Sequence, residues 1–220
     1  MFYSASEQLS ELLLTGNHQE MWRLLRQHVD AGKNSLYIYD SLLTSSMRHV
    51  GYLWEQNLIS VADEHLASIL CNLAIANYKV LIGGTSKIRQ KRAMFLCVEG
   101  EQHELGVKMI SSYFEEFDWD ARCFGPNLPL EYAMSAAMNW KPQVIGISVA
   151  LAYHVPQLRE YIHALENLSH KPMIMVGGRA ASVLDLKPYV SEKTVIFKDL
   201  YELHSWLEAN STQQLRQTWG

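Results

Sequence analysis

The sequence predicts a four-helix bundle over residues 1–84, a short linker over 85–92 and an α/β domain over 93–220 with a five-stranded, doubly wound parallel sheet. Three observations carry this. From about Ser4 to Ile82 the apolar residues recur at helical spacing. After Arg92 short apolar runs alternate with helical stretches, the pattern of strands joined by crossover helices. Between the halves lies GGTSKIRQKR, Gly83 to Arg92, whose glycines and basic residues have the composition of an exposed linker.

In the first half, breaks at Gly16-Asn17, Gly32-Lys33-Asn34 and Asn57 to Ser60 divide the periodic stretch into four helices with short connections, hence an antiparallel bundle. The fourth helix is the clearest. Ser60 with Asp63 resembles a capping box, and Leu66, Ile69, Leu70, Leu73, Val80 and Leu81 follow as an apolar stripe.

In the second half the candidate strands are Ala93 to Val98, Ala121 to Phe124, Val144 to Val149, Pro172 to Val176 and Thr194 to Phe197. Helical patterns lie at Glu104 to Phe117, Leu130 to Asn139 and Val155 to Leu168, with a shorter piece after Arg179 and a last helix from Leu200 to about Leu215. This is a flavodoxin/Rossmann-like order. Ligands of such sheets bind beyond the carboxyl ends of the strands, so those loops are where chemistry is expected.

Composition narrows the function. With 48% hydrophobic and 19% charged residues the chain has the makeup of a globular fold. A net charge of −4 and a pI near 6.1 give no electrostatic footprint for nucleic acid. The start, MFYSASEQLSELLL, lacks the basic and apolar regions of a signal peptide, and no apolar run approaches membrane-spanning length. A cytoplasmic protein with no membrane partner is expected. Cys71, Cys97 and Cys123 are odd in number with no CxxC spacing, which indicates neither a disulfide framework nor a zinc site; Cys71 and Cys97 sit in apolar runs as small core residues.

Three features converge at the strand ends. Strand AMFLCV runs into EGEQHELG, which holds His103 in a loop rooted in a rigid strand, and a neutral imidazole there suits a transition metal. Gly106 removes a side chain where a bulky group would pass close to the backbone. Strand VIGISVA ends with the Ser148 hydroxyl, and strand MIMV ends in Gly177-Gly178, which again leaves room for close approach.

The order E-x-H-x-x-G at Glu101 to Gly106, S-V-A at Ser148 to Ala150 and G-G at Gly177-Gly178 resembles the cobalamin-binding domain shared by methionine synthase, corrinoid carrier proteins and cobalamin-dependent mutases. The resemblance implies that the cobalamin nucleotide tail leaves the cobalt and inserts into the sheet. His103 would be the lower cobalt ligand, Glu101 and Gln102 its neighbours in the loop, and Gly106, Ser148, Ala150, Gly177 and Gly178 the lining of the tail pocket. Most family members carry Asp where this chain has Glu101, and in methyl-transferring members that Asp relays protons to the histidine.

Trp54, nine residues, then Glu64-His65 reproduces the W-x9-E-H pattern of CarH-type light-responsive regulators, in which a helical bundle caps the upper face of adenosylcobalamin. The resemblance implies a photoreceptor module with adenosylcobalamin between bundle and sheet, Trp54 over the upper ligand, and Glu64 and His65 bonded to ribose hydroxyls or corrin amides. It differs in two ways. No MerR-like DNA-binding domain is expected, since the first helix already belongs to the bundle, so a light signal would pass to a homo-oligomer or a regulatory protein partner. Glu55 stands where well-known photoreceptors carry a histidine that binds cobalt after photolysis, so a bis-histidine light product is not expected through that position, with His49 and His65 as the alternatives. Some stand-alone relatives resemble photocobilins, which would add a bile pigment such as biliverdin. Two other outputs fit the same layout: a corrinoid carrier presenting methylcobalamin to partner methyltransferases, and a light-independent cobalamin-dependent antirepressor.

Overall fold

The three breaks between the N-terminal helices close in the same way. The structure, a computed structural model, describes residues 4–83 and 89–217. Helix α1 (Ala5–Leu14) begins with a capping box between Ser4 and Glu7. It ends where Asn17 N–H bonds the Leu12 carbonyl and Gly16 N–H that of Leu13. Helix α2 (His18–Asp30) ends alike, through Lys33 to His28 and Gly32 to Val29, and α3 (Ser45–Glu55) through Leu58 to Leu53 and Asn57 to Trp54. These are Schellman closures, and each needs a left-handed residue: Gly16, Gly32 and Asn57 all have positive φ. That is why these breaks are visible in the sequence.

The third helix is less regular than its sequence suggests. A π-helical stretch, Tyr37–Thr44, runs directly into α3, so the backbone there is wound one residue wider. Buried hydroxyls link this helix to α1: Ser10 Oγ donates to the Ser46 carbonyl at 3.1 Å, and Ser46 Oγ to the Ser6 carbonyl at 2.8 Å. Leu9, Leu13, Met21, Leu25, Ile38, Leu42, Leu43 and Val50 fill the core, and Tyr39 meets Tyr78 edge to face with ring centroids 5.3 Å apart.

Helix α4 (Val61–Ile82) opens with the expected Ser60–Asp63 capping box. Its expected single apolar stripe is a misreading of two faces. Ala67, Leu70, Cys71, Ala74, Ile75 and Tyr78 are buried, whereas Leu66, Ile69, Leu73 and Val80 are exposed. Large apolar residues occupy both faces, and the small ones, Ala67, Cys71 and Ala74, lie on the face that packs against the bundle. With both faces apolar, α4 is also long and apolar enough to cross a membrane by length and composition. This corrects the expectation from the sequence, which looked for an unbroken run. Against a span stand Asp63, Glu64, His65, Asn72, Asn77 and Lys79 on the helix and its packing against α1, α2 and α3.

The chain divides into two compact units, Met1–Gly83 and Gly84–Gly220. Residue 84 and residues 85–88 of the expected linker lie outside the described residues, and the first strand begins at Lys91, two residues before the expected start, because Lys91 already pairs with Trp119. The second unit is a five-stranded parallel sheet of β1 (Lys91–Cys97), β2 (Trp119–Cys123), β3 (Val144–Ser148), β4 (Met173–Gly177) and β5 (Val195–Ile196), in the order β2-β1-β3-β4-β5. Helices α5 (Leu105–Glu116), α6 (Leu130–Trp140), α7 (Leu158–Glu166, after a 3-10 turn at Ala152–Gln157), α8 (Arg179–Val183) and α9 (Leu200–Gln217) complete the doubly wound fold predicted.

Alternation along the strands sorts the core. Met94, Leu96 and Val98 point with Ile145, Ile147, Val149, Ile174 and Val176 toward α6 and α7. On the opposite face Phe95 meets Phe114 at 4.8 Å, and Phe114 meets Trp119 at 5.3 Å. The strand order reverses direction between β1 and β3, the switch point beyond whose carboxyl edge ligands of such sheets bind.

Candidate functional site

The residues that meet at this crossover are Glu101, His103 and the backbone after β3. Glu101 is fully buried. One of its carboxylate oxygens accepts the His103 backbone N–H at 3.0 Å and lies 2.6 Å from His103 Nδ1. The other accepts the N–H groups of Ala150 at 2.8 Å and Leu151 at 3.2 Å. Burial alone would push this carboxyl upward, but the hydrogen bonds from His103, Ala150 and Leu151 outweigh it and bring it down to about 2. An ionised oxygen beside Nδ1 requires N–H there, so a metal would be met by Nε2. The His103 side chain is 55% exposed, beside the exposed Gln102, so the ring is anchored at one edge and reaches solvent at the other.

The loop carrying this pair is held from both sides. Gly100 N–H donates to Asn127 Oδ1 at 2.7 Å, Asn127 N–H to the Glu101 carbonyl at 2.9 Å, and Glu99 N–H to Tyr161 Oη at 3.1 Å. Beneath Gly100 lies the buried ring of His154, whose Cε1 is 2.8 Å from where a Gly100 Cβ would stand; with φ of +82°, only glycine suits this position.

The features expected to line a tail pocket divide into open and closed positions. A Cβ at Gly106 would meet nothing within 4 Å, and one at Gly177 only the Phe197 carbonyl oxygen at 3.7 Å, so backbone there is open to a close-approaching group. Gly178 serves another purpose. Its φ is +100° and a Cβ would lie 2.4 Å from the Val149 carbonyl oxygen, so this glycine lets β4 turn against the end of β3. The Ala150 contribution is its N–H, already bonded to Glu101. Ser148 is buried level with Cys97 on β1 and Gly177 on β4.

Cys97 was read from the sequence as a core residue only. Its thiol stands in that same row, 3.7 Å from the His103 carbonyl and hydrogen-bonded with Ser148, and burial pushes it up to about 12. The signal was parity: Cys97 and Ser148 share a face once the register of β1 on β3 is fixed.

In the helical unit Trp54 lies in the last turn of α3 and is 48% exposed. Glu64 and His65 lie in the first turn of α4, Glu64 accepting the Ser68 hydroxyl at 2.7 Å and His65 exposed. All three belong to one unit, and α3 packs on α4.

The donor set fits a corrinoid: an imidazole oriented through Nδ1, with open backbone at Gly106 and Gly177. Comparison with known proteins points the same way. Residues 91–187 match a family model described as a B12 binding domain, and residues 5–79 match a second B12 binding domain model. The chain is 22% identical over 147 residues to the HTH-type transcriptional repressor CarH of Myxococcus xanthus, a match spanning 66% of this chain and 48% of the relative. It is 22% identical over 148 residues to dimethylamine corrinoid protein 1 of Methanosarcina acetivorans, spanning 66% and 70%. Among solved structures, the monomethylamine corrinoid protein of Methanosarcina barkeri superposes with a TM-score of 0.77 at 17% identity, covering 93% of this chain and 98% of that one, which establishes a shared fold.

Proposed function

Since the chain is a cobalamin-binding module with two B12 binding domains, we propose that it holds adenosylcobalamin with His103 Nε2 on the lower face of the cobalt and acts as a light-responsive sensor. Gly106, Ser148, Gly177 and the Cys97 thiol receive the nucleotide tail. Trp54, Glu64 and His65 of the helical unit serve the upper ligand, the indole as a flat apolar cover and the other two as hydrogen-bonding groups. The cofactor supplies the light-labile cobalt–carbon bond; the chain's residues orient it and shield it.

The observation that carries this reading is the Glu101 carboxylate. Accepting two bonds from His103 and two from Ala150 and Leu151, it stays ionised far below neutral pH. Such a group holds the imidazole in one orientation, with Nε2 left for the metal.

The test loads the protein with adenosylcobalamin in the dark, then records its absorption spectrum and mass before and after green light. A light-dependent change in both supports the sensor. Retained cobalamin with no change in the protein sinks it.

A second reading is favoured by the comparisons. The match covers 70% of the dimethylamine corrinoid protein and the shared fold covers 98% of the monomethylamine corrinoid protein, whereas it covers 48% of the CarH repressor. As a corrinoid carrier the protein would present methylcobalamin to partner methyltransferases, and methyl transfer from loaded protein to an acceptor enzyme would identify it.

A further inference from the structure

The outward face of α4 has a regularity that cobalamin binding does not require. Its residues are Ala62, Leu66, Ile69, Leu73, Ala76 and Val80, spaced 4, 3, 4, 3 and 4 apart. This is the seam of a left-handed helix pair, running about 27 Å along the helix at about 1.5 Å per residue. Every member is exposed, Ile69 by 65% and Val80 by 81%, and no charged or polar residue interrupts the row. The inward face of the same helix is separately satisfied by Ala67, Leu70, Cys71, Ala74, Ile75 and Tyr78.

The row is also its own complement. Turned end for end about position 71, it sets Ala62 opposite Val80, Leu66 opposite Ala76 and Ile69 opposite Leu73. Small thus meets large in the outer layers and two large residues meet at the centre, the alternation that lets facing layers interdigitate. A parallel pairing would set leucine on leucine and alanine on alanine, leaving bulges beside gaps. The flanks agree with the antiparallel order. Asp63 falls beside Asn77, His65 beside Lys79 and Asn72 beside Asn72 of the second copy, so no two carboxylates and no two ammonium groups meet.

We propose that α4 is an isologous interface on which a second copy of this chain packs antiparallel, with the two-fold axis passing beside Cys71. The pairing is self-complementary, as closed two-fold symmetry demands. It does not rest on the cobalamin reading, although His65, which serves the upper ligand there, also flanks the seam.

The experiment uses the full chain, with mass measured by light scattering at tens of micromolar. The wild type is expected at twice 25.2 kDa. Ile69→Glu with Leu73→Glu, both at exposed positions, is expected to weaken the dimer by about 100-fold or more through burial of charge, with helicity unchanged and thermal unfolding no longer dependent on protein concentration. In a Cys123→Ser background, Ala62→Cys combined with Val80→Cys should join two chains through a short bis-maleimide, and Ala62→Cys alone should not. A monomeric wild type, a charged variant that stays dimeric, or equal cross-linking by Ala62→Cys alone would each overturn the proposal. So would a charged variant that loses cobalamin, or lipid-vesicle binding, with no change in mass, since the seam would then serve the cofactor or a membrane.

Discussion

The two units prepare for a ligand in opposite ways. In the sheet unit the group that would meet the metal is fixed before anything binds: His103 is tied through Nδ1 to a fully buried carboxylate, which is tied in turn to the backbone of another strand's loop. In the helical unit Trp54 is half-exposed and His65 exposed, and Glu64 accepts a hydrogen bond from Ser68 one turn away. A coordination bond has strict direction and rewards prior orientation. An apolar cover needs area more than angle. The sheet unit should therefore fail steeply when disturbed, and the helical unit gradually and selectively.

The contrast can be broken by substitution. His103→Ala should cause the largest loss, lowering cobalamin affinity by more than about 100-fold and abolishing the spectral signature of an imidazole ligand, since even outer partners of a metal ligand are worth about 10–100-fold. Unchanged binding and spectrum would remove His103 as the ligand. Glu101→Ala comes next. It should weaken cobalamin by about 10–100-fold and destabilise the sheet unit by about 2–3 kcal/mol, because the N–H groups of Ala150 and Leu151 lose their acceptor. A denaturant melt of the variant measures the second effect independently of the first.

Trp54→Ala sharpens the other side. Retention of the adenosyl form should fall by about 10-fold while hydroxocobalamin is retained as before, and stability should change by less than about 1 kcal/mol, as for a half-exposed side chain. Equal loss of both forms would mean that Trp54 does not serve the upper ligand. The smallest effect is that of acid. Glu101 is held at about 2, below the ordinary 4.5, so its contribution to stability is complete above about pH 4.5 and disappears as pH falls toward 2. Glu101→Gln should flatten the sheet unit's pH dependence in that window. In the helical unit Glu7 and Asp63 are also depressed, but both are surface caps, held down by hydrogen bonds from Ser4 and Ser60.

How much could be read from the sequence follows the same division. The helix breaks were legible because Gly16, Gly32 and Asn57 each occupy a left-handed position that few residues tolerate. The strands were legible because both faces of the sheet are covered, giving near-continuous apolar runs such as Ala93 to Val98. Boundaries shifted where partners decide them, as at Lys91, which pairs with Trp119. The two faces of α4 were not legible as such, since periodicity reports that a residue is apolar and not which neighbour covers it. Within the site, the loop histidine was conspicuous and its support was hidden. That Glu101 reaches Ala150 and Leu151 depends on β1 and β3 being adjacent, which no local pattern encodes. Cys97 was missed for the same reason.

The Glu101 bridge also sets a schedule. Leu151 follows His103 by 48 positions in the chain. At a synthesis rate of about 5–20 residues per second, the loop bearing His103 exists for roughly 2–10 s before the amides that fix its carboxylate have been made. The nascent chain thus passes through an interval in which an imidazole is present but undirected. That interval ends only when β3 adds to the edge of β1, so competence to capture a cofactor is an event late in biosynthesis, gated by the pairing of two strands.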